Sequence, residues 1–144
     1  MKKHLIIGNP ISHSLSPKIH NYWFEKNKID GSYEKIAINK NEIKDILQKV
    51  KDEYIYGINV TVPYKQSVIP FLESLSEIAE KTNSVNTIFK KDGKIYGDNT
   101  DVYGFEKSII NNKIDLKNKT AMVFGAGGVV PSVIIGLKKL KIDK

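Results

Sequence analysis

The chain is expected to form an α/β fold, a mostly parallel sheet with flanking helices, and three observations carry that expectation. Short apolar runs of strand character alternate with stretches of helical periodicity. Ile43, Ile46, Leu47 and Val50 fall at i, i+3, i+4 and i+7, the stripe of a helix packed on a sheet. Near the end, "TAMVFGAGG" followed by "VVPSVIIGLKKL" reads as a strand, a glycine turn and an apolar helix.

"HLIIG" (4–8) is the first strand, and "NPISHSLSP" (9–17) is the loop after it, because Asn-Pro and repeated Ser are turn chemistry. Ser16 before Pro17 reads as the N-cap of a helix over "PKIHNYWFEKN". In that helix Trp23 and Phe24 are most simply core. "YEKIAI" (33–38) is the second strand, and Asn39 with Glu42 resembles a capping arrangement ahead of the Ile43 stripe. "YGINVTV" (56–62) is the third strand, followed by Pro63 and a helical stretch broken at Pro70. "SLSEIAEKT" (74–82) suggests a short helix. "SVNTIFK" and "KIYGDN" flank Lys91-Asp92-Gly93 as a β-hairpin, and "DVYGFEKSIIN" starts a helix near Asp101.

A polar hinge, "NKIDLKNK" (112–119), divides a first expected domain (1–111) from a second unit (112–144). That unit reads as the first βα unit of a Rossmann-like domain. A doubly wound nucleotide fold needs more strands than follow here, so the chain reads as a fragment of a longer protein.

The 144 residues are 40% hydrophobic and 27% charged, enough for a buried core. No run of about 18 apolar residues and no secretory signal is present, so no membrane association and a cytoplasmic location are expected. The absence of cysteine excludes a disulfide framework. The net charge of +7 raises nucleic acid as a partner, but all 23 basic residues are lysine and they are scattered. Without the arginine fork that clamps phosphate and reads guanine, a nucleic-acid role is set aside.

The residues able to do chemistry cluster in a few motifs. Ser14 and Ser16 in "SHSLS" can aim two hydroxyls at a small carboxylate, although Ser16 alone reads more simply as a helix cap. In "NVTVPYK", alternation puts Asn59 and Thr61 on one face and Val60 and Val62 on the other, and Lys65 follows the strand's carboxyl end. Asn86-Thr87 and Asn99-Thr100-Asp101 repeat a theme of donors and acceptors suited to a polyhydroxylated ring. Gly125, Ala126, Gly127, Gly128 and Val129 form a turn whose N–H groups can approach a pyrophosphate at a helix N-terminus. Val130 stands where a third glycine is usual, and Pro131 removes one N–H. His13 and His20 have no partner at metal-ligand spacing, and no metal is expected.

"GNPISHSLSP", "NVTVPYK", "SVNTI", "GDNTDVYGF" and "VFGAGG", in this order over positions 8–128, resemble the shikimate dehydrogenase family. The resemblance implies NADPH-dependent reduction of 3-dehydroshikimate to shikimate, on the route to aromatic amino acids, in a cleft between two domains. It implies that Ser14 and Ser16 hold the substrate carboxylate and that Thr61, Asn86 and Asp101 meet ring hydroxyls. Asn59 joins the substrate-binding set, and Lys65 with Asp101 is catalytic. Gly125 to Val129 would cradle NADP, with Glu77 near the cofactor. Two departures stand out: Asn83-Ser84-Val85 replaces Gly-Ala-Val, and Val129-Val130-Pro131 replaces an alanine-rich helix start. A substrate-binding fragment without turnover and a quinate-using relative remain as alternatives, and a homodimer stays open as the assembly.

Overall fold

The computed structural model describes residues 1–142 and builds one six-stranded sheet with helices on its faces. Residues 143 and 144 of the expected second unit lie outside the described part. β1 (Lys2–Gly8) runs parallel to β2 (Gly31–Ala37) on one side and to β3 (Gly57–Val60) on the other. The first strand thus begins at Lys2 rather than His4. α1 (Ser16–Lys26) links β1 to β2, and α2 (Ile43–Lys51) links β2 to β3, the crossovers that parallel neighbours require.

Alternation along the strands divides the apolar residues between the two faces. Leu5, Ile7, Ile58 and Val60 join Ile43, Ile46, Leu47 and Val50 of α2 in the main core. Ile6 points the other way and packs with Ile11, Tyr33 and Phe24. Each such aliphatic side chain stabilises the fold by roughly 1.5–3 kcal/mol when fully buried. At the entry to α2 the Glu42 carboxylate accepts the Asn39 N–H at 2.7 Å, the expected capping contact around one 3₁₀ turn, Lys40–Glu42. Trp23 is not core: it is exposed on α1 with Lys26 over its ring, and Phe24 alone turns inward.

Beyond β3 come β4 (Ser74–Leu75), β5 (Thr87–Lys91) and β6 (Lys94–Asp98), giving the order β2-β1-β3-β5-β6-β4. β5 and β6 form the expected hairpin, and Asp92 and Gly93 have the positive φ values, 50° and 76°, of a tight two-residue turn. β5 is antiparallel to β3, with Asn59 opposite Thr87, whereas β4 is parallel to β6. α3 (Glu77–Thr82) follows β4, capped by Ser76 Oγ, which accepts the Ala79 N–H at 3.1 Å. α4 (Asp101–Asn111) and α5 (Val130–Lys139) complete the described elements. They meet where Gly136 passes the Phe105 ring, 2.7 Å from where a Cβ would stand.

Several expectations are corrected. The third strand stops at Val60, and Val62 is 63% exposed instead of joining the core. No α-helix forms between Pro63 and Pro70; the segment makes turns ending in a 3₁₀ helix, Ile69–Phe71. The cause is competition, because the Lys65 carbonyl that a helix would use internally accepts the Val85 N–H at 2.9 Å. The "SL" of the expected 74–82 helix is strand β4. Ser16 is the first residue of α1 rather than its cap; the Ser14 hydroxyl accepts the Ser16 N–H at 3.3 Å. Residues 120–126 carry no strand, and Met122 and Phe124 are exposed, because no strand among the described residues lies beside them.

Candidate active site

Sheet topology brings the predicted residues to one edge. β1 and β3 are parallel, so the serine loop and "TVPYK" both leave the sheet at the same end. β5 runs the other way, so Asn86, just before it, is at that end too. β6 ends there at Asp98, opposite Thr87, and delivers Asn99, Thr100 and Asp101. Ligands of α/β sheets lie beyond such strand ends.

Gly8 allows the close approach of these loops. A Cβ there would fall 2.6 Å from Thr61 Cγ2 and 3.0 Å from the Val62 carbonyl oxygen. The chain beyond β3 stays anchored to β1: Thr61 N–H donates to the Ile7 carbonyl at 3.0 Å, and Asn9 N–H to the Val62 carbonyl at 3.1 Å. The turn that follows aims Lys65 at α4.

Lys65 Nζ lies 2.6 Å from Asp101 Oδ2, and both side chains are largely shielded, 13% and 24% exposed. Asn86 Nδ2 donates to the other carboxylate oxygen at 2.8 Å and to Thr100 Oγ1 at 2.9 Å. Asp101 is therefore held from two sides, while Lys65 has two further N–H bonds to offer. The backbone of Asp101 is fixed as well. Asn99 Oδ1 accepts the N–H groups of Asp101 at 3.0 Å and Val102 at 3.4 Å, satisfying two donors of the α4 start. As a first-turn acid, Asp101 also meets the favourable end of the α4 dipole.

Asn99 is itself buried, 3% exposed, and its amide donates to Ser84 O at 2.9 Å, Ser132 Oγ at 3.0 Å and Thr82 Oγ1 at 3.1 Å. This polar knot joins α3, α4 and α5. Sequence reasoning noted Ser84 only as a departure from Gly-Ala-Val and missed Ser132, for which a hydroxyl inside the otherwise apolar "VVPSVIIG" was the available signal. Ser84 Oγ also donates to the Gly128 carbonyl at 2.9 Å.

Gly128 lies against the stem of Lys65, with its would-be Cβ 3.6 Å from Lys65 Cβ. A cavity of ≈ 220 Å³ is lined by Val62, Pro63, Lys65, Gln66, Gly127 and Gly128. The glycine turn fits a phosphate group: Gly125 has φ 117°, Gly127 has open space where a Cβ would stand, and α5 begins just after Val129. Ala126 lies within the same turn. Glu77 is not brought there. It pairs with Lys81 and shares a hollow with Lys138 and Lys139 at the far end of α5. The hydrogen bond from Lys81, then its charge, holds the Glu77 carboxyl below the usual carboxylate range.

Ser14, on the loop after β1, and Ser16, the first residue of α1, are half-buried, and Lys35 Nζ ties the loop down by donating to the carbonyls of Ser12 and Ser14. They do not line the cavity beside Lys65. Asn59 donates from Nδ2 to the Asn86 carbonyl at 3.1 Å and Thr87 Oγ1 at 3.2 Å, and accepts the Tyr33 hydroxyl at 2.6 Å. Among the described residues no helix is long and apolar enough to cross a membrane.

The family model for the shikimate dehydrogenase substrate binding domain matches residues 6–88. A shikimate dehydrogenase (NADP(+)) of Pelagibacter ubique is 54% identical over 143 residues, covering 99% of this chain and 54% of that protein. One from Clostridium beijerinckii is 44% identical over 140 residues, covering 94% of this chain and 52% of the relative. The crystal structure of shikimate dehydrogenase 1 from Peptoclostridium difficile superposes with a TM-score of 0.93 at 33% identity, over 100% of this chain and 55% of that one. The Thermus thermophilus enzyme in complex with NADP(H) and shikimate gives 0.92 at 31% identity, over 99% of this chain and 54% of that one. The chain spans about half the length of the curated relatives it matches. With a family model over most of the sheet and relatives matching from end to end, this chain belongs to the shikimate dehydrogenase family.

Proposed function

We propose that the protein reduces 3-dehydroshikimate to shikimate with NADPH in the cytoplasm, residues 1–111 forming its substrate domain and residues from 112 the start of its cofactor domain. The observation that carries this reading is the shielded Lys65–Asp101 pair at 2.6 Å, with Gly128 of the glycine turn against the lysine stem. On this reading an acid for the substrate stands beside a seat for the cofactor.

Ser14 and Ser16 donate their hydroxyls to the substrate carboxylate, and Thr61 and Asn86 face ring hydroxyls. Lys65, anchored by one bond to Asp101, points a remaining N–H at the ketone oxygen. As negative charge develops there, Lys65 stabilises it and passes a proton, the role of a positioned general acid. Asp101 keeps the ammonium in place and accepts from a neighbouring hydroxyl. In the oxidising direction a neutral Lys65 takes the proton back. The N–H groups of Gly125 to Val129, at the start of α5, would hold the pyrophosphate of NADPH, whose nicotinamide ring would supply the hydride.

Two measurements test the proposal together: NADPH consumption with 3-dehydroshikimate, and shikimate binding by calorimetry. Turnover with both shikimate and quinate in the reverse direction fixes the substrate. The alternative reading is substrate binding without turnover. Binding without NADPH consumption selects it, and loss of both rejects the site.

A further inference from the structure

We propose that Tyr33 is a positioning residue for the Lys65–Asp101 pair, acting through Asn59 and Asn86; the inference rests on the proposed site but is read independently of it. Tyr33 belongs to β2, which does not touch β3 because β1 lies between them. Its ring crosses β1 on the face shared with Ile6, and its hydroxyl donates to Asn59 Oδ1 at 2.6 Å. The residue is 4% exposed, so a hydroxyl here requires a partner and has one.

Tyr33 is itself held by two residues of α1. Asn21 of α1 accepts its N–H and donates to its carbonyl, both at 2.9 Å, occupying the free edge of β2. His20 stacks flat on its ring, with centroids 4.1 Å apart and planes at 2°. The phenol thus arrives at Asn59 from a rigid mount, and burial keeps it protonated as a donor.

The consequence passes along a defined series of bonds. With Oδ1 turned to Tyr33, the Asn59 Nδ2 group is turned the other way, toward the Asn86 carbonyl and Thr87 Oγ1. Accepting that bond leaves the Thr87 hydroxyl to donate to Asn86 Oδ1, at 2.9 Å. Asn86 Oδ1 faces Thr87 and the Thr100 N–H, so its Nδ2 faces Asp101 Oδ1. An amide that flipped would present oxygen to a carboxylate and repel it. Asn59 has both N–H bonds committed inside the protein, so the structure assigns it to orienting Asn86 rather than to donating to substrate.

The test uses Tyr33→Phe in the full chain, which keeps the ring against His20 and removes only the donor. The readouts are the side-chain amide resonances of Asn59 and Asn86, the shikimate Kd by calorimetry, and the far-ultraviolet circular dichroism. The expected result is displaced Asn86 side-chain resonances, unchanged dichroism and a shikimate Kd raised about fivefold to tenfold, the loss of one hydrogen bond's worth of order. Adding Asn59→Ala to Tyr33→Phe is expected to cost nothing beyond Asn59→Ala alone. Unmoved Asn86 resonances in Tyr33→Phe overturn the proposal, as does a fully additive double variant. If the unaltered protein fails to bind shikimate, the functional reading falls, while the resonances still decide the role of Tyr33. Should Tyr33→Phe not fold, the unaltered protein decides: a slowly exchanging Tyr33 hydroxyl proton with a cross-peak to the Asn59 amide supports the link, and its absence rejects it.

Discussion

Lys65 and Asp101 stand 36 residues apart in sequence and 2.6 Å apart in space, one on the turn after β3 and the other in the first turn of α4. Neither element touches the other through a ladder; the hairpin β5–β6 spans the gap and sets their separation. Lys65→Met keeps most of the stem against Gly128 and removes the amine. The expected outcome in the complete enzyme is a fall in turnover of about 10²–10⁴-fold with shikimate affinity changed little. Steady-state rates and calorimetry check it, and near-normal turnover would remove Lys65 from the chemistry.

Asn99→Ala tests the polar knot. It leaves the N–H groups of Asp101 and Val102 and the buried Ser132 hydroxyl without their partner. Stability is expected to drop by about 2–3 kcal/mol, the range for orphaned buried polar groups. Urea unfolding measures it, and a loss below about 0.5 kcal/mol, as for an ordinary surface site, would mean that the knot contributes little.

Ser84→Ala addresses the seam between the proposed substrate and cofactor residues. Ser84 is fully buried, and its hydroxyl is the donor to the Gly128 carbonyl. Its loss is expected to weaken NADPH binding about fivefold, one net hydrogen bond, and to leave shikimate affinity unchanged. Titrating each ligand separately shows the split. Equal weakening of both would assign Ser84 to general packing.

What the sequence made legible follows from the range of the forces involved. The stripe Ile43, Ile46, Leu47, Val50 and the Asp92-Gly93 turn are local patterns, and both appear as expected. The Lys65–Asp101 pair was readable because each residue sits in a distinctive motif at a strand end. The helix expected after Pro63 failed because the distant Val85 N–H claims the Lys65 carbonyl. β4 was invisible because two residues carry no periodicity and the ladder comes from β6. Residues 120–126 have strand composition but no neighbouring strand among the described residues, and composition alone makes no ladder. The roles of Tyr33, Asn59 and Ser84 depend on which way side chains point across several strands, which letters in a row do not encode.

Gly8→Ala tests the close approach of the loops at the sheet edge. The added methyl would meet Thr61 Cγ2 at 2.6 Å and the Val62 carbonyl at 3.0 Å. A side chain can swing away, but the backbone carbonyl cannot. The expected cost is about 1–3 kcal/mol, typical of overpacking, with weaker shikimate binding through a displaced Thr61. Thermal unfolding and calorimetry test both parts, and an unchanged midpoint would show that the loops adjust freely.

The pH dependence of stability turns on His20. Burial, and secondarily the charge of His4, lowers its pKa from 6.5, so the folded protein prefers the neutral ring. Between the lowered value and 6.5 the unfolded chain binds more protons than the folded one, and stability therefore rises with pH across that window. The stabilising contribution is fully present above about pH 6.5 and is lost as pH falls toward the folded-state pKa. Glu73, lowered by its Lys51 hydrogen bond, loses its contribution only as pH falls through the carboxylate range, below the His20 window. His20→Phe, which retains a ring against Tyr33, is expected to flatten the slope just below pH 6.5 without affecting the acid limb. Urea midpoints at a series of pH values supply the comparison. A slope of opposite sign in the unaltered protein would mean that the flat contact with Tyr33 favours the imidazolium more than burial disfavours it.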